Sequence, residues 1–245
     1  MDRLAEEREM LGSVDRDFAL EALRRCVLFR GVDRPSLETV AESLRLRRYR
    51  RDQVIFYQGD PGESLFVIES GSVKIVLASP EDGEDQAIIA TLGAGEFFGE
   101  LALLDGAPHS ATAVAMEPTE TLVLRRDAFL QLIDRQPGLR RALLSALAGE
   151  LRRLTGHVEE LHFLDLPGRL AIRLVRMAGE AAPGVRRDVR MNWPYTQAEL
   201  AAMIGGTRQT VNRLLADAAG RGLVRFEKET IVIPDLDRLA HEAER

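Results

Sequence analysis

Two short stretches of this sequence carry side chains whose types and spacing could do chemistry. The first is Thr207-Arg208-Gln209-Thr210-Val211-Asn212-Arg213. Arginine matches the guanine edge, and glutamine the adenine edge, in the major groove of a duplex. Arg208 and Gln209 are adjacent and Arg213 stands five residues beyond Arg208, so on a helix the three project toward one broad face. Thr207, Thr210 and Asn212 suit phosphate contacts, which set register without reading sequence. Thr196, at the head of the preceding segment, is placed with them as a DNA-side candidate. The second stretch is Gly95-Glu96-Phe97-Phe98-Gly99-Glu100-Leu101-Ala102-Leu103-Leu104, followed by Pro108-His109-Ser110. Glycines that run into a short helical turn leave backbone N–H groups free, and such groups bind anions, phosphate above all. Glu100 supplies an acceptor suited to a ribose hydroxyl, and Ser110 a hydroxyl donor. Glycines between strands also make plain turns, and the residues alone leave both readings open.

Other chemistry finds little support. There is no nucleophile–base pair and no phosphate loop with a lysine, and the carboxylates read as solvated faces; no enzyme is expected. His157 and His162, five apart on one helix, cannot jointly face one metal ion, so no metal is expected. Cys26 is the single cysteine, which excludes an internal disulfide and any four-cysteine metal or iron–sulfur cluster within one chain. No apolar run approaches the roughly 18 residues of a membrane span. The charged segment Met1–Arg16 lacks the apolar core of a signal peptide. The expected compartment is the cytoplasm.

The elements that must hold these side chains follow from period and punctuation. Thr196 and Glu199 form a capping box that opens a helix carrying Leu200 and Ile204. Gly205-Gly206 ends it, and Thr207 caps a second helix from Arg208 to about Ala218. Leu200, Ile204, Val211, Leu214 and Leu215 are its core. Leu223–Phe226 and Thr230–Ile233, joined across Glu227-Lys228-Glu229, form a hairpin immediately after. The whole reads as a winged helix-turn-helix. The chain carries a net charge of −6, yet Leu166 to Ile233 holds eleven Arg and Lys against six Asp and Glu, a basic module on an acidic chain.

Upstream, Pro137 to Leu164 reads as one helix of on the order of 40 Å. Leu147, Leu151, Leu154, Val158 and Leu161 recur along it at gaps of four, three, four and three, the spacing of a two-chain coiled-coil seam. Before it, Phe18–Cys26 and Pro35–Leu44 read as short helices, and residues 1–16 as a loosely docked arm. From Leu46 the period changes to two. Val54–Phe56, Leu65–Ile68, Val73–Leu77, Ala87–Ala90, Thr112–Ala115 and Thr121–Leu124 are short strands. The turns among them hold Gly59, Gly71, Gly83 and Gly95, so an antiparallel roll or barrel is expected. Asp127–Asp134 is a short helix that leads into the long one. Beyond the long helix, Asp165 caps a helix through about Ala181, and the segment from Ala182 with Arg186, Arg187 and Arg190 reads as a loop.

Phe98-Gly99-Glu100-Leu101 with Pro108-His109-Ser110-Ala111 resembles the phosphate-binding cassette of cyclic-nucleotide-binding domains. Phe163-Leu164-Asp165 resembles the hinge, and Thr207–Arg213 the recognition helix, of the Crp–Fnr family of transcription regulators. The similarity spans about residues 18–233, in the right order and spacing. It implies an α+β chain in three parts: a cyclic-nucleotide-binding-type antiparallel β-roll over residues 1–135, a dimerisation helix and hinge over 136–164, and a winged helix-turn-helix over 165–245. It further implies a homodimer on a palindromic duplex, RNA polymerase as protein partner, and cyclic AMP or another cyclic nucleotide as effector. Backbone groups of Gly99, Leu101 and Ala102 would line the pocket. Glu100 would hold the ribose, Ser110 the cyclic phosphate, and Thr155 the base from across the dimer.

Two positions depart from that pattern. His109 stands where cyclic-AMP binders hold an arginine, and histidine offers neither a permanent charge nor a planar donor fork. Losing one charge-assisted hydrogen bond costs about 1.5–3 kcal/mol, roughly ten- to hundredfold in affinity. Leu154 is apolar where such members often carry a threonine. Another effector in the same pocket and activity without effector therefore stand beside the cyclic-nucleotide reading, and a cyclic-nucleotide sensor whose winged module docks protein stands beside the DNA-binding one.

Overall fold

Asp15 accepts hydrogen bonds from the N–H groups of Asp17 and Phe18 and so opens helix α1 (Arg16–Arg25). After a 3-10 turn at Val27–Phe29, Asp33 caps α2 (Arg34–Ser43), whose Leu37, Val40 and Ala41 turn inward. These belong to a computed structural model, which describes residues 12–13, 15–78, 86–193 and 195–244. The expected turn at Gly83 and most of the expected N-terminal arm lie outside the described residues. Within that arm, Gly12–Ser13 (β1) pairs with the strand that follows α2 rather than lying loose.

The chain divides into two units, Met1–Glu150 and Leu151–Arg245, parted within one long helix. The first holds two antiparallel sheets. One has the order β1-β2-β9-β4-β7, with β2 (Arg45–Tyr49), β4 (Ser64–Ser70), β7 (Phe97–Phe98) and β9 (Thr119–Arg125). The other has the order β3-β8-β5-β6, with β3 (Val54–Phe56), β5 (Val73–Ala78), β6 (Gln86–Leu92) and β8 (Thr112–Ala115). Phe66, Ile68, Val73, Phe98, Ala113 and Val123 form a core cluster drawn from both sheets. A larger one gathers Leu23, Leu28, Phe29, Leu44, Leu65, Leu122 and Leu124 with Phe129 of α4 (Arg126–Arg135) and Leu139. Cys26 lies in it, and burial pushes its thiol up to about 11, which leaves it an inert packing group.

The long helix, α5 (Pro137–Phe163), is fixed to the first unit at its start. The Gln136 amide donates to Asp33 Oδ2 at 2.6 Å, and a Cβ on Gly138 would sit 2.4 Å from the Gly31 carbonyl oxygen. Only glycine permits that approach.

The second unit continues through α6 (Leu166–Ala181), β10 (Arg187–Asn192), α7 (Gln197–Ile204), α8 (Arg208–Gly220), β11 (Arg225–Glu227), β12 (Thr230–Asp235) and α9 (Leu236–Ala240). Here the loop expected around Arg186, Arg187 and Arg190 is corrected. Residues 187–192 form a strand that pairs antiparallel with β12, so the wing is a three-stranded sheet of order β10-β12-β11. Val189 and Met191 are buried and Arg190 and Asn192 are not. That alternation is only two residues deep and hides among charged neighbours. No helix among the described residues is long and apolar enough to cross a membrane.

Candidate functional sites: the roll pocket and the DNA interface

The glycine-punctuated stretch does become a turn into a short helix. Gly99 stands at φ +87° as the N-cap of α3 (Glu100–Asp105). A Cβ there would lie 2.9 Å from the Ser64 carbonyl oxygen and 3.2 Å from Phe66, so both the backbone conformation and the space require glycine. Ala102 is buried against Gly62, where a Cβ would stand 2.1 Å from its own. The turn that holds Gly62 also pins the His109 backbone: Gly59 N–H donates to His109 O, and His109 N–H donates to Asp60 O, both at 2.9 Å. One loop thus gathers Gly99–Ala102 and His109-Ser110 on the first unit.

The side chains at this site differ in what they offer. Glu100 is half-buried, and desolvation raises its carboxyl above the usual range; its own backbone N–H opposes the shift and the Glu150 carboxylate adds to it. Leu101 and Ser110 are exposed. His109 is 7% exposed and stacks face to face on Phe56, ring centroids 3.6 Å apart and 7° from parallel. Phe56 in turn leans on Phe66 and Phe98. Burial holds the imidazole below its ordinary value, against the pull of Asp60, and so keeps it neutral at pH 7. Neither Phe56 nor Gly62 was singled out by sequence reasoning, because a phenylalanine in a strand and a glycine in a turn carry no local mark of their partners. Thr155 belongs to the second unit, and its hydroxyl donates to the Leu151 carbonyl at 2.9 Å.

The DNA-side candidates lie together on the helix-turn-helix. Thr196 and Glu199 form the reciprocal capping box: Thr196 Oγ1 accepts from Glu199 N–H at 3.1 Å, and Glu199 Oε2 from Thr196 N–H at 2.9 Å. Gly205 takes the left-handed conformation, φ +72°, that ends α7. Thr207 caps α8 through Thr210 N–H, and the two hydroxyls bond each other at 2.9 Å. Arg208, Gln209, Asn212 and Arg213 are exposed, and Val211 and Leu215 are buried. At about 100° per residue the four exposed side chains span an arc of about 140°. Asn212 is partly committed, since its Oδ1 accepts from Gln197 Nε2 on α7 at 3.1 Å. Gln197 ties the two helices together and was missed.

No group of three or more His, Cys, Asp or Glu suited to a metal ion occurs among the described residues. His162 packs edge-on to Phe163, and His157 lies 3.9 Å from Glu160.

A β-roll with a short glycine-capped helix, followed by a long helix and a winged helix-turn-helix, is the architecture of a DNA-binding regulator. Residues 46–136 match the cyclic nucleotide-binding domain, and residues 168–242 match the Crp-like helix-turn-helix domain. The chain is 33% identical over 223 residues to a CRP-like cAMP-activated global transcriptional regulator of Mycobacterium tuberculosis, covering 91% of this chain and 99% of that protein. It is 34% identical to the cyclic AMP receptor protein of Thermus thermophilus, covering 84% of this chain and 91% of that one. Among solved structures, FixK2 from Bradyrhizobium japonicum superposes with a TM-score of 0.71 at 25% identity, over 80% of this chain and 95% of that one. The chain belongs to the Crp–Fnr family of transcription regulators; like the relatives it matches, it is a regulator and not an enzyme.

Proposed function

We propose that the protein is a homodimeric, sequence-specific DNA-binding regulator of the cytoplasm, controlled by a small effector in the roll. Its working parts would be residues 1–135, 136–164 and 165–245, and its operator a palindrome with half-sites about one helical turn, roughly 34 Å, apart. The observation that carries this reading is the exposed face of α8, where Arg208, Gln209 and Arg213 stand clear of a buried Val211–Leu215 side. The homodimer is supported by a ridge on α5. Leu151, Leu154, Val158 and Leu161 are all exposed in the single chain, and Leu144 extends the row by one step. Leu147 packs partly against the first unit's core. RNA polymerase is the expected partner on a promoter. Selection of duplexes from a randomised pool, with light scattering on the complex, tests the reading. Enrichment of a palindrome bound by two chains supports it; binding that ignores sequence, or one chain per duplex, refutes it.

The names of the relatives favour cyclic AMP as effector. A second reading, regulation without a cyclic nucleotide, is favoured by His109. A neutral imidazole stacked on Phe56 supplies no charge to a cyclic phosphate. Calorimetric titration with cyclic AMP, cyclic GMP and cyclic di-GMP separates the two. Heat and tighter operator binding with one of them supports effector control, and operator affinity that none of them alters supports the second reading.

A further inference from the structure

Two arginines of α6, Arg169 and Arg173, are drawn partly inward. Arg169, on the first turn of α6, is partly buried and reaches two backbone carbonyls from different elements. Its Nε donates to Leu164 O at 3.1 Å, and its Nη1 to Ile204 O at 3.0 Å. Leu164 is the hinge residue just after the long helix. Ile204 is the last residue of α7, the first helix of the helix-turn-helix. Both carbonyls sit where a helix has run out of N–H donors, so each needs a partner from elsewhere.

The same place is packed without slack. A Cβ on Gly205 would lie 3.2 Å from Arg169 Nη1 and 3.6 Å from Leu161 Cδ2. One on Gly206 would lie 2.9 Å from Leu166 Cδ2. The two-glycine turn before the recognition helix is therefore seated on the end of the long helix and the start of α6, with the guanidinium as its clasp. Asp165 completes the seat by accepting from Gly168 N–H at 2.9 Å, which fixes the turn of α6 that carries Arg169.

We propose that Arg169 is a positioning residue for DNA recognition. It locks the hinge carbonyl to the helix-turn-helix, so that the orientation of α8 is set by the end of the long helix. Arg169 does not itself touch DNA. The planar fork is essential, because a single guanidinium satisfies two carbonyls at once, whereas a lysine ammonium is a point donor on a flexible stem. This rests on the DNA-binding reading, so the test has an arm that needs no DNA.

Full-length Arg169→Met and Arg169→Lys would be compared with wild type. In hydrogen–deuterium exchange without DNA, both variants are expected to exchange faster at the hinge (residues 164–168) and at the turn (residues 205–210) together. The wing sheet should be unchanged. Faster exchange at only one of the two sites, or at neither, overturns the clasp whatever the DNA arm shows.

The DNA arm uses anisotropy titrations with the palindromic duplex that wild type selects and with a random duplex, over a range of salt. Affinity for the selected duplex should fall at least about tenfold, with the random duplex unaffected and the slope of log K against log salt unchanged. A slope reduced by about one in either variant would mean that Arg169 neutralises a phosphate directly, and would overturn the proposal. So would Arg169→Lys that binds and exchanges like wild type, since charge alone would then suffice. Lysine keeps the stem and the charge, which guards against misfolding of the methionine variant; thermal melts verify that both are folded at the assay temperature. If wild type selects no duplex at all, the DNA-binding reading fails, while the exchange result still decides the clasp.

Discussion

The dimer seam allows the most direct quantitative test. Leu151 and Val158 keep 67% and 63% of their surface exposed in the single chain, on a helix that is fixed to the first unit only at its start. Fully burying a leucine or valine side chain is worth about 1.5–3 kcal/mol, so the two-thirds still exposed at Leu151 corresponds to about 1–2 kcal/mol. A two-fold interface carries every substitution twice, which makes about 2–4 kcal/mol per dimer, or roughly 30- to 1,000-fold in dissociation constant. Leu151→Glu removes that gain and also sets two carboxylates into an apolar seam, which adds a desolvation cost. Val158→Glu should act alike. Because both side chains are already exposed within the chain, neither change should unfold it; surface substitutions usually stay within about 0.5 kcal/mol. Sedimentation velocity over a dilution series is the assay, with Arg152→Glu on the exposed flank as control. Wild type and control should sediment as dimers at micromolar concentration and both seam variants as monomers. Unchanged sedimentation of both seam variants, with intact melts, would refute the pairing and the magnitude drawn from it.

Three further outcomes are expected. Arg208→Ala should cost about 1–3 kcal/mol on the selected duplex and relax base preference at one position, as measured by competition titration; equal loss on random DNA would contradict base reading. Gly62→Ala should destabilise the roll by about 1–3 kcal/mol through overpacking against Ala102, and adding Ala102→Gly should recover most of it in urea unfolding; no recovery would place the strain elsewhere. His109 and His157 are both held by burial below the ordinary imidazole value, so the unfolded chain binds more protons than the folded one between the two values. Stability should therefore rise with pH through that window and be lost as pH falls from about 6.5, and His109→Phe should flatten the slope in denaturant titrations from about pH 5 to 7.

Much of the fold was legible because it is written locally. Thr196 with Glu199, Thr207 before Arg208, and Asp165 before α6 are caps, and each formed as read. The three-residue break at Gly205-Gly206-Thr207 and the period of two between Leu46 and Leu124 gave the helix-turn-helix and the roll. Strand β10 was missed because its two inward residues, Val189 and Met191, make too short a pattern; its evidence is β12, which lies beyond two intervening helices. Position 109 was read for its chemistry with phosphate, and its stacking on Phe56, a ring far off in sequence on β3, left no local mark.

By itself, then, the amino-acid order determined the elements, their sequence along the chain, and which residues carry polar chemistry, since caps, turns and periodicity depend on neighbours within a few positions. Only the tertiary structure decided what each of those residues is left free to do. It covered His109 with Phe56, tied Asn212 to Gln197, and turned Arg169 from a surface charge into a link between hinge and turn. Such pairings depend on which distant segments come to share a cavity, and burial then sets both the charge a side chain can hold and the partners it can reach.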